Sequence, residues 1–350
     1  MKIAILNTQV PFIRGGAEVH AENLKKAMIE FGYQCDIVSI PFKWYPAKTL
    51  IDNIVACRLF DLSETCGECI DQVIGLKFPA YLVPHENKTL WILHQFRTAY
   101  DLWESKQFGD LVNLENGKLV RDMIHLYDKS YIPEAKQIYS NSKNVSKRLF
   151  SSLNINSTPL YHPPHNYSSY KCLESEKYFF MPSRISSLKR HSLVIEALSL
   201  CKENVSVYFA GTPDSEKDFD SLRAQAEKLS VSSKIKWLGS ISEQEKLDLY
   251  ARCLGVIYVP LDEDYGYVTL EAMLASKPVI TASDSGGPTE FVINNETGLI
   301  VEPNSEELSE ALDMLYSSPH KAKEFGVHGR LAYDRLDITW SNVVKRLTSC

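Results

Sequence analysis

The chain has 350 residues, 44% of them hydrophobic and 23% charged, with a formal net charge of −6. That length suits two domains better than one, and the composition is that of a globular chain. The acidic balance argues against a general nucleic-acid binder, and no apolar run reaches the ~18 residues of a membrane span.

The opening Met1-Lys-Ile-Ala-Ile-Leu-Asn is too short in its apolar part for a signal peptide and reads as a first strand. The expected compartment is the cytoplasm, and the 8 Cys are expected as reduced thiols. Cys66-Gly-Glu-Cys69 has no second pair at a zinc-site distance, so it reads as two ordinary thiols.

After the strand Lys2–Leu6 comes a loop ending in Arg14-Gly15-Gly16-Ala17-Glu18. A helix then runs to about Phe31, with Leu24, Ala27, Met28 and Phe31 on one face; Gly32 stops it, and Cys35–Ile40 is a second strand. Strand, glycine loop and helix form the phosphate-binding unit of doubly wound sheets. The Gly-x-Gly-x-x-Gly fingerprint is missing, which disfavours a nicotinamide dehydrogenase. A plain turn needing positive φ is the competing reading of Gly15-Gly16.

Residues 47–61 read as a helix and 72–76 as a strand. Thr89–Phe96 is a clearer strand that ends on His94, and ligands of open α/β sheets sit beyond the carboxyl ends of strands. Between 97 and 131 helices are expected to carry Arg97, Tyr100, Trp103, Lys106, Phe108, Lys118 and Arg121. With Phe96 and Lys43-Trp44-Tyr45 they are candidates for peripheral membrane contact, against a solvated helix edge interrupted by Asp101, Glu104, Asp110 and Glu115. Gln137–Ser142 is a strand whose last serine can cap a helix Lys143–Phe150. Prolines from Thr158 to His165 and a polar stretch to Lys177 mark a linker, which puts a boundary near 168.

The second domain, 169–330, restarts the alternation. Strands at 178–181, 205–210, 235–238, 255–259, 278–282 and 298–301, with helices between, imply a second parallel sheet in an α/β protein.

Two places carry chemistry. Pro182-Ser-Arg184-Ile-Ser-Ser-Leu-Lys189 puts two cations at a strand's carboxyl end, where they suit a diphosphate. At a helix start they oppose the dipole, which a bound anion would explain. Val259-Pro-Leu-Asp-Glu263-Asp264-Tyr265-Gly266-Tyr267-Val268-Thr-Leu-Glu271 places two carboxylates around a glycine turn that feeds a helix. The backbone of Asp264, Tyr265, Gly266, Tyr267 and Val268 makes an anion site. The glutamates would repel phosphate and instead suit hydroxyl groups. A nucleotide-sugar has sugars on both sides of a diphosphate. Asp262-Glu-Asp264 and Asp218-Phe-Asp220 match the Asp-x-Asp pattern of metal-dependent transferases, but the first contains Glu263 and the second falls in a surface helix; no metal is expected.

Glu263-x7-Glu271, followed by Pro278-Val-Ile-Thr-Ala-Ser-Asp-Ser-Gly286-Gly287-Pro-Thr-Glu290, resembles glycosyltransferase family 4. The resemblance implies a GT-B fold: two Rossmann-like doubly wound parallel-sheet domains facing across a cleft, with the last segment, 331–350, crossing back to the first. It implies retaining transfer of a hexose-type sugar from a UDP- or GDP-sugar to a glycan or lipid-linked acceptor in cell-surface polysaccharide assembly. That chemistry takes place in the cytoplasm or peripherally on the inner face of the membrane, with no cofactor and no metal. Glu263 would bind donor-sugar hydroxyls and Glu271 the ribose; Arg184 and Lys189 would hold the diphosphate, with Ser183 and Arg190 standing where the family has glycine. His94 would contact the donor sugar, and Gly15-Gly16 is the family's N-terminal glycine loop. Sugar-nucleotide epimerases share the fold and are the alternative. A non-catalytic nucleotide-sugar-binding subunit is a further one, against which the intact His94, Arg184, Lys189, Glu263 and Glu271 count.

Overall fold

Short apolar runs become parallel strands when helices cover both faces of the sheet, because every side chain then finds apolar cover. The computed structural model describes residues 1–13, 15–105 and 108–349. Two such sheets occur in it, one in each of two units: Met1–His165 with Thr339–Cys350, and Asn166–Ile338.

In unit 1 the elements are β1 (Lys2–Gln9), α1 (Gly16–Glu30), β2 (Gln34–Pro41), α2 (Lys48–Leu59), a hairpin of β3 (Glu64–Thr65) and β4 (Glu68–Cys69), β5 (Gln72–Lys77), β6 (Lys88–His94), α3 (Gly117–Tyr131), β7 (Gln137–Ser140), α4 (Lys143–Leu153) and β8 (Thr158–Pro159). The main sheet runs β2-β1-β5-β6-β7-β8, all parallel. β6 shows why its sequence is continuously apolar. Leu90 and Ile92 pack with α2, α3 and α4, whereas Trp91 and Leu93 pack with α1 and the C-terminal helix Trp340–Thr348. That last helix inserts Val343, Val344 and Leu347 beside Leu24 and Met28, and its Leu347 carbonyl accepts from Gln72 Nε2 at 2.7 Å.

Local rules explain the element ends. Gly32, at φ +88°, ends α1, with Tyr33 N–H on the Met28 carbonyl and Gly32 N–H on that of Ile29. Phe31 is the cap and lies half exposed rather than on the buried face. Ser142 Oγ accepts from Val145 N–H at 3.0 Å and so caps α4.

The segment 97–131 departs from expectation. Among the described residues, short 3-10 turns at Arg97–Ala99 and Leu111–Asn113, and no longer helix, precede α3, since Gly109 and the left-handed Asn116 (φ +58°) break the helix pattern. Arg14 and Lys106 lie outside the described residues. Arg97 pairs with Asp101, Lys118 with Asp122, and Arg121 lies over the Trp103 ring at 4.7 Å. No helix among the described residues is long and apolar enough to cross a membrane. Cys66, in the hairpin turn, and Cys69, in β4, are exposed thiols.

Unit 2 contains β9 (Phe179–Pro182), α5 (His191–Leu200), β10 (Val207–Ala210), α6 (Glu216–Lys228), β11 (Ile235–Gly239), α7 (Glu243–Arg252), β12 (Gly255–Ile257), α8 (Tyr267–Leu274), β13 (Val279–Ala282), β14 (Gly298–Val301), α9 (Ser305–Ser317) and α10 (Pro319–Arg335). Its parallel sheet has the order β11-β10-β9-β12-β13-β14. This is the Rossmann order, which reverses between β9 and β12 and opens a crevice at their carboxyl ends. Asp218 and Asp220 are exposed on α6.

One buried acid in unit 1 has a measurable consequence. Asp128 is fully buried and accepts from Tyr81 OH at 3.1 Å and Tyr100 OH at 2.7 Å; burial outweighs these bonds and pushes its pKa up to about 7. Between roughly pH 4 and 7 the folded state therefore holds a proton that the unfolded chain has released, so this group makes stability fall as pH rises through that window. Asp128→Asn should remove that component, at about 1.4 kcal/mol per unit of pKa separation. Urea midpoints at pH 4.5, 6 and 7.5 check it: the variant should gain on the wild type as pH rises, and parallel profiles would refute the assignment.

Candidate active site

The loops leaving β9 and β12 carry the residues of interest in unit 2, and the backbone joins them. Leu261 N–H donates to the Leu188 carbonyl at 2.8 Å. Lys189, at the end of the first loop, forms an ion pair with Glu263 in the second and donates to Tyr258 OH at 3.2 Å. Both charged side chains are largely buried, 15% and 24% exposed, so each holds the other in one orientation. Burial, then the charge of Glu263, drives the Tyr258 pKa well upward, so the phenol stays neutral and its oxygen remains available to Lys189.

Glu263 is also fixed through its main chain. Its N–H donates to the Ser285 carbonyl and its carbonyl accepts from Gly287 N–H, both at 2.8 Å. A Cβ on Gly287 would lie 2.5 Å from the Tyr265 carbonyl oxygen, so only glycine allows this approach. Gly266 takes φ +90° as the N-cap of α8 and offers no side chain to its first-turn N–H groups. Tyr265 is buried, its ring edge-on to Tyr267 at 5.0 Å. Asp264 and Val268 flank the same turn.

The two departures from the family's glycines have structural answers. Arg190 adopts the left-handed conformation itself, φ +57°, and its guanidinium grips Asp284 through bonds of 2.7 and 2.6 Å. A left-handed non-glycine residue costs about 1–2 kcal/mol, and this two-pronged pair offsets it. At Ser183 the closeness is supplied by the neighbour: a Cβ on Gly211 would meet the Ser183 oxygen at 2.0 Å.

Glu271 serves a different face. It sits on α8 against α7, its side chain 11% exposed. Tyr250 OH donates to Oε2 at 2.7 Å and Lys246 Nζ to Oε1 at 3.1 Å. Lys246 also pairs with Glu243 at 3.1 Å; burial disfavours its charge, yet Glu271 and Glu243 together hold its pKa above the ordinary lysine value. Arg184 is not drawn into either group. It is mostly exposed and pairs with Asp214 at 2.8 Å.

Within unit 1, Gly15, Glu18, Lys77 and His94 lie at the carboxyl ends of β1, β5 and β6. Gly15 N–H donates to Glu18 Oε2 at 2.8 Å, Lys77 reaches Glu18 Oε1 at 3.4 Å, and Lys77 pairs in register with His94. His94 Nδ1 is 2.7 Å from the Gln95 carbonyl, an acceptor, so Nδ1 carries a proton. Gly15 has φ −133°, and a Cβ on Gly16 would meet nothing within 4 Å. Neither glycine is required by the turn.

Tyr250, Lys246, Tyr258, Asp284 and Lys77 were not singled out from the sequence. Lys246 follows the capping box Ser242-x-x-Glu245, so its helix was legible; its apposition to Glu271 was not.

Comparison with known proteins follows the same division. Residues 169–331 match the family model for glycosyl transferases group 1. The chain is 26% identical over 221 residues to the alpha-1,3/1,6-mannosyltransferase ALG2 of Dictyostelium discoideum, covering 56% of this chain and 52% of that protein. It spans about half the length of the curated relatives it matches first. Sucrose-phosphate synthase of Thermosynechococcus elongatus superposes with a TM-score of 0.79 at 15% identity, over 99% of this chain and 96% of that one. HepE of Anabaena, solved with UDP and glucose, superposes at 0.72 and 16% identity, over 99% and 98%. The fold is GT-B. The match to the family model lies within unit 2, whereas the likeness of fold extends over nearly the whole chain.

The glycine geometry predicts a contrast. Gly287→Ala should destabilise the protein by about 1–3 kcal/mol through a clash with rigid backbone, whereas Gly16→Ala, in open space on a helix, should be neutral or slightly stabilising. Denaturant melts of the two variants check this; equal stability would show that the Gly287 approach is not tight.

Proposed function

We propose that this protein transfers a hexose-type sugar from a UDP- or GDP-sugar to a glycan or lipid-linked acceptor, with retention of the anomeric configuration, as a transferase of family 4 type. The observation that carries the reading is the Lys189–Glu263 pair, held on two loops at the sheet's reversal point beside the glycine-started helix α8. A cation and a helix N-terminus suit a diphosphate. A carboxylate beside them accepts hydroxyl groups of the adjoining sugar. Glu271, on another face of the same helix, is assigned to the ribose. Mannosyltransferases among the relatives and a UDP–glucose complex among the fold neighbours support a hexose carried on a nucleotide.

In this reading Lys189 neutralises charge that grows on the diphosphate as the bond to the sugar breaks, and Glu263 faces the sugar as it becomes cationic. Both interactions strengthen toward the transition state, which is what accelerates the step. The leaving phosphate oxygen takes the acceptor's proton on the same face, which yields retention. His94, with the open backbone at Gly15-Gly16, is assigned to sugar recognition. Charge neutralisation by side chains and helix N–H groups makes a divalent ion dispensable.

The deciding experiment is a screen of the purified protein against UDP-, GDP- and ADP-sugars with glycan and lipid-linked acceptors, following the anomeric configuration of the product by NMR. Transfer should survive excess EDTA; complete loss restored by manganese or magnesium would reject the metal-free mechanism. Release of an epimerised free sugar without acceptor would replace transferase by epimerase.

Once the donor is known, Lys189→Ala should lower kcat by about a hundredfold or more rather than only raise KM. Arg184→Ala should cost less, because its guanidinium is mostly solvated and already paired with Asp214. Wild-type kcat in Lys189→Ala, with folding intact, would remove the lysine from the mechanism.

A further inference from the structure

Glu271 reaches its position with two donors already attached, and both come from α7. Each carboxylate oxygen has two lone-pair sites. Tyr250 OH occupies one on Oε2 and Lys246 Nζ one on Oε1, which fixes the carboxylate plane and leaves one site on each oxygen. Two acceptor sites on adjacent oxygens, in a fixed plane, match a pair of vicinal hydroxyl donors. The supporting shell is itself immobile. Tyr250 is fully buried, with its ring edge-on to Phe180 at 5.1 Å and to Tyr170 at 5.6 Å. Lys246 is pinned between Glu271 and Glu243.

We propose that Tyr250 and Lys246 are positioning residues that hold Glu271 oriented to read the 2′,3′-diol of the donor's ribose, so that this site selects ribonucleotides over 2′-deoxyribonucleotides. The inference rests on the assignment of Glu271 to the ribose and adds the means by which that contact is made selective. Lys246 supplies the counter-charge that a largely buried carboxylate needs, and Tyr250 supplies direction. The other titratable groups facing this carboxylate are Glu243 on α7, Tyr170, Tyr258 and, on α8 itself, Tyr267. The three phenols stay neutral through the working pH range because burial raises their pKa values. Lys246 is therefore the one cation among these groups.

The test is calorimetric titration of the full chain with UDP, GDP and their 2′-deoxy counterparts. The wild type should prefer the ribonucleotide by about tenfold or more, as one lost charge-assisted hydrogen bond implies. Glu271→Ala should abolish the preference. Tyr250→Phe, which keeps the ring and its packing, should reduce the preference several-fold by weakening the ribonucleotide alone. Lys246→Met, which keeps the apolar stem and removes the donor to Oε1, should likewise reduce the preference several-fold, and Lys246→Arg should restore it. If Glu271→Ala loses the preference while Tyr250→Phe and Lys246→Met keep it in full, these two residues are only structural and the inference fails by itself. If Glu271→Ala keeps the preference, or neither UDP nor GDP binds, the ribose assignment fails and the inference falls with it.

Discussion

The approach of the Gly286-Gly287 turn to the Glu263–Tyr265 backbone is the constraint on which the rest of unit 2's site depends. A Cβ on Gly287 has no room beside the Tyr265 oxygen, and one on Gly266 would lie 3.0 Å from Pro288. The two glycines let loops from β12 and β13 lie directly against each other and exchange backbone hydrogen bonds. Glu263 is therefore carried by a short parallel bridge to Gly286 rather than by a free loop. A carboxylate on such a support needs little reorganisation to meet a ligand, which is where preorganised sites gain most.

From that support the charges sort into separate pairs. Lys189 with Glu263, Arg190 with Asp284, Lys246 with Glu271 and Arg184 with Asp214 each join different loops or helices of unit 2. Their exposure sets what each can do. The pairs involving Lys189 and Lys246 are largely buried, so they interact strongly and hold fixed geometry; the Arg184 pair is solvated and contributes little of either. Arg190 shows how a departure from a family pattern is absorbed: the backbone keeps the left-handed turn that glycine would favour, and the new side chain braces the glycine turn through Asp284.

Unit 1 presents a plainer edge. Glu18 links the first turn of α1 to Lys77, and His94 stands beside Lys77 in register. The glycines at 15 and 16 are not forced by backbone strain, so the turn reading drawn from sequence alone has no geometric basis there. Behind that edge lies a buried acid, Asp128, which accepts from the hydroxyls of Tyr81 and Tyr100, a costly arrangement that holds the segments after β5 and β6 together.

What the sequence determined by itself was local and periodic. Strands such as Thr89–His94 and Val279–Ala282 were legible because parallel strands are continuously apolar, and the ends of α1 and α4 because Gly32 and Ser142 carry end signals in their own chemistry. The Glu263-x7-Glu271 spacing with its glycine turns marked the candidate site. Broken segments misled: Gly109 and Asn116 cut the helix expected from 97, since scattered aromatic and basic residues imitate an amphipathic face. Only the tertiary structure decided which charge meets which. Lys189 and Glu263 are 74 residues apart, and Lys246 and Glu271 are 25 apart. They meet because the strand order reverses between β9 and β12 and because Lys246 and Tyr250 of α7 reach Glu271 of α8, and no periodicity within any one segment encodes that apposition.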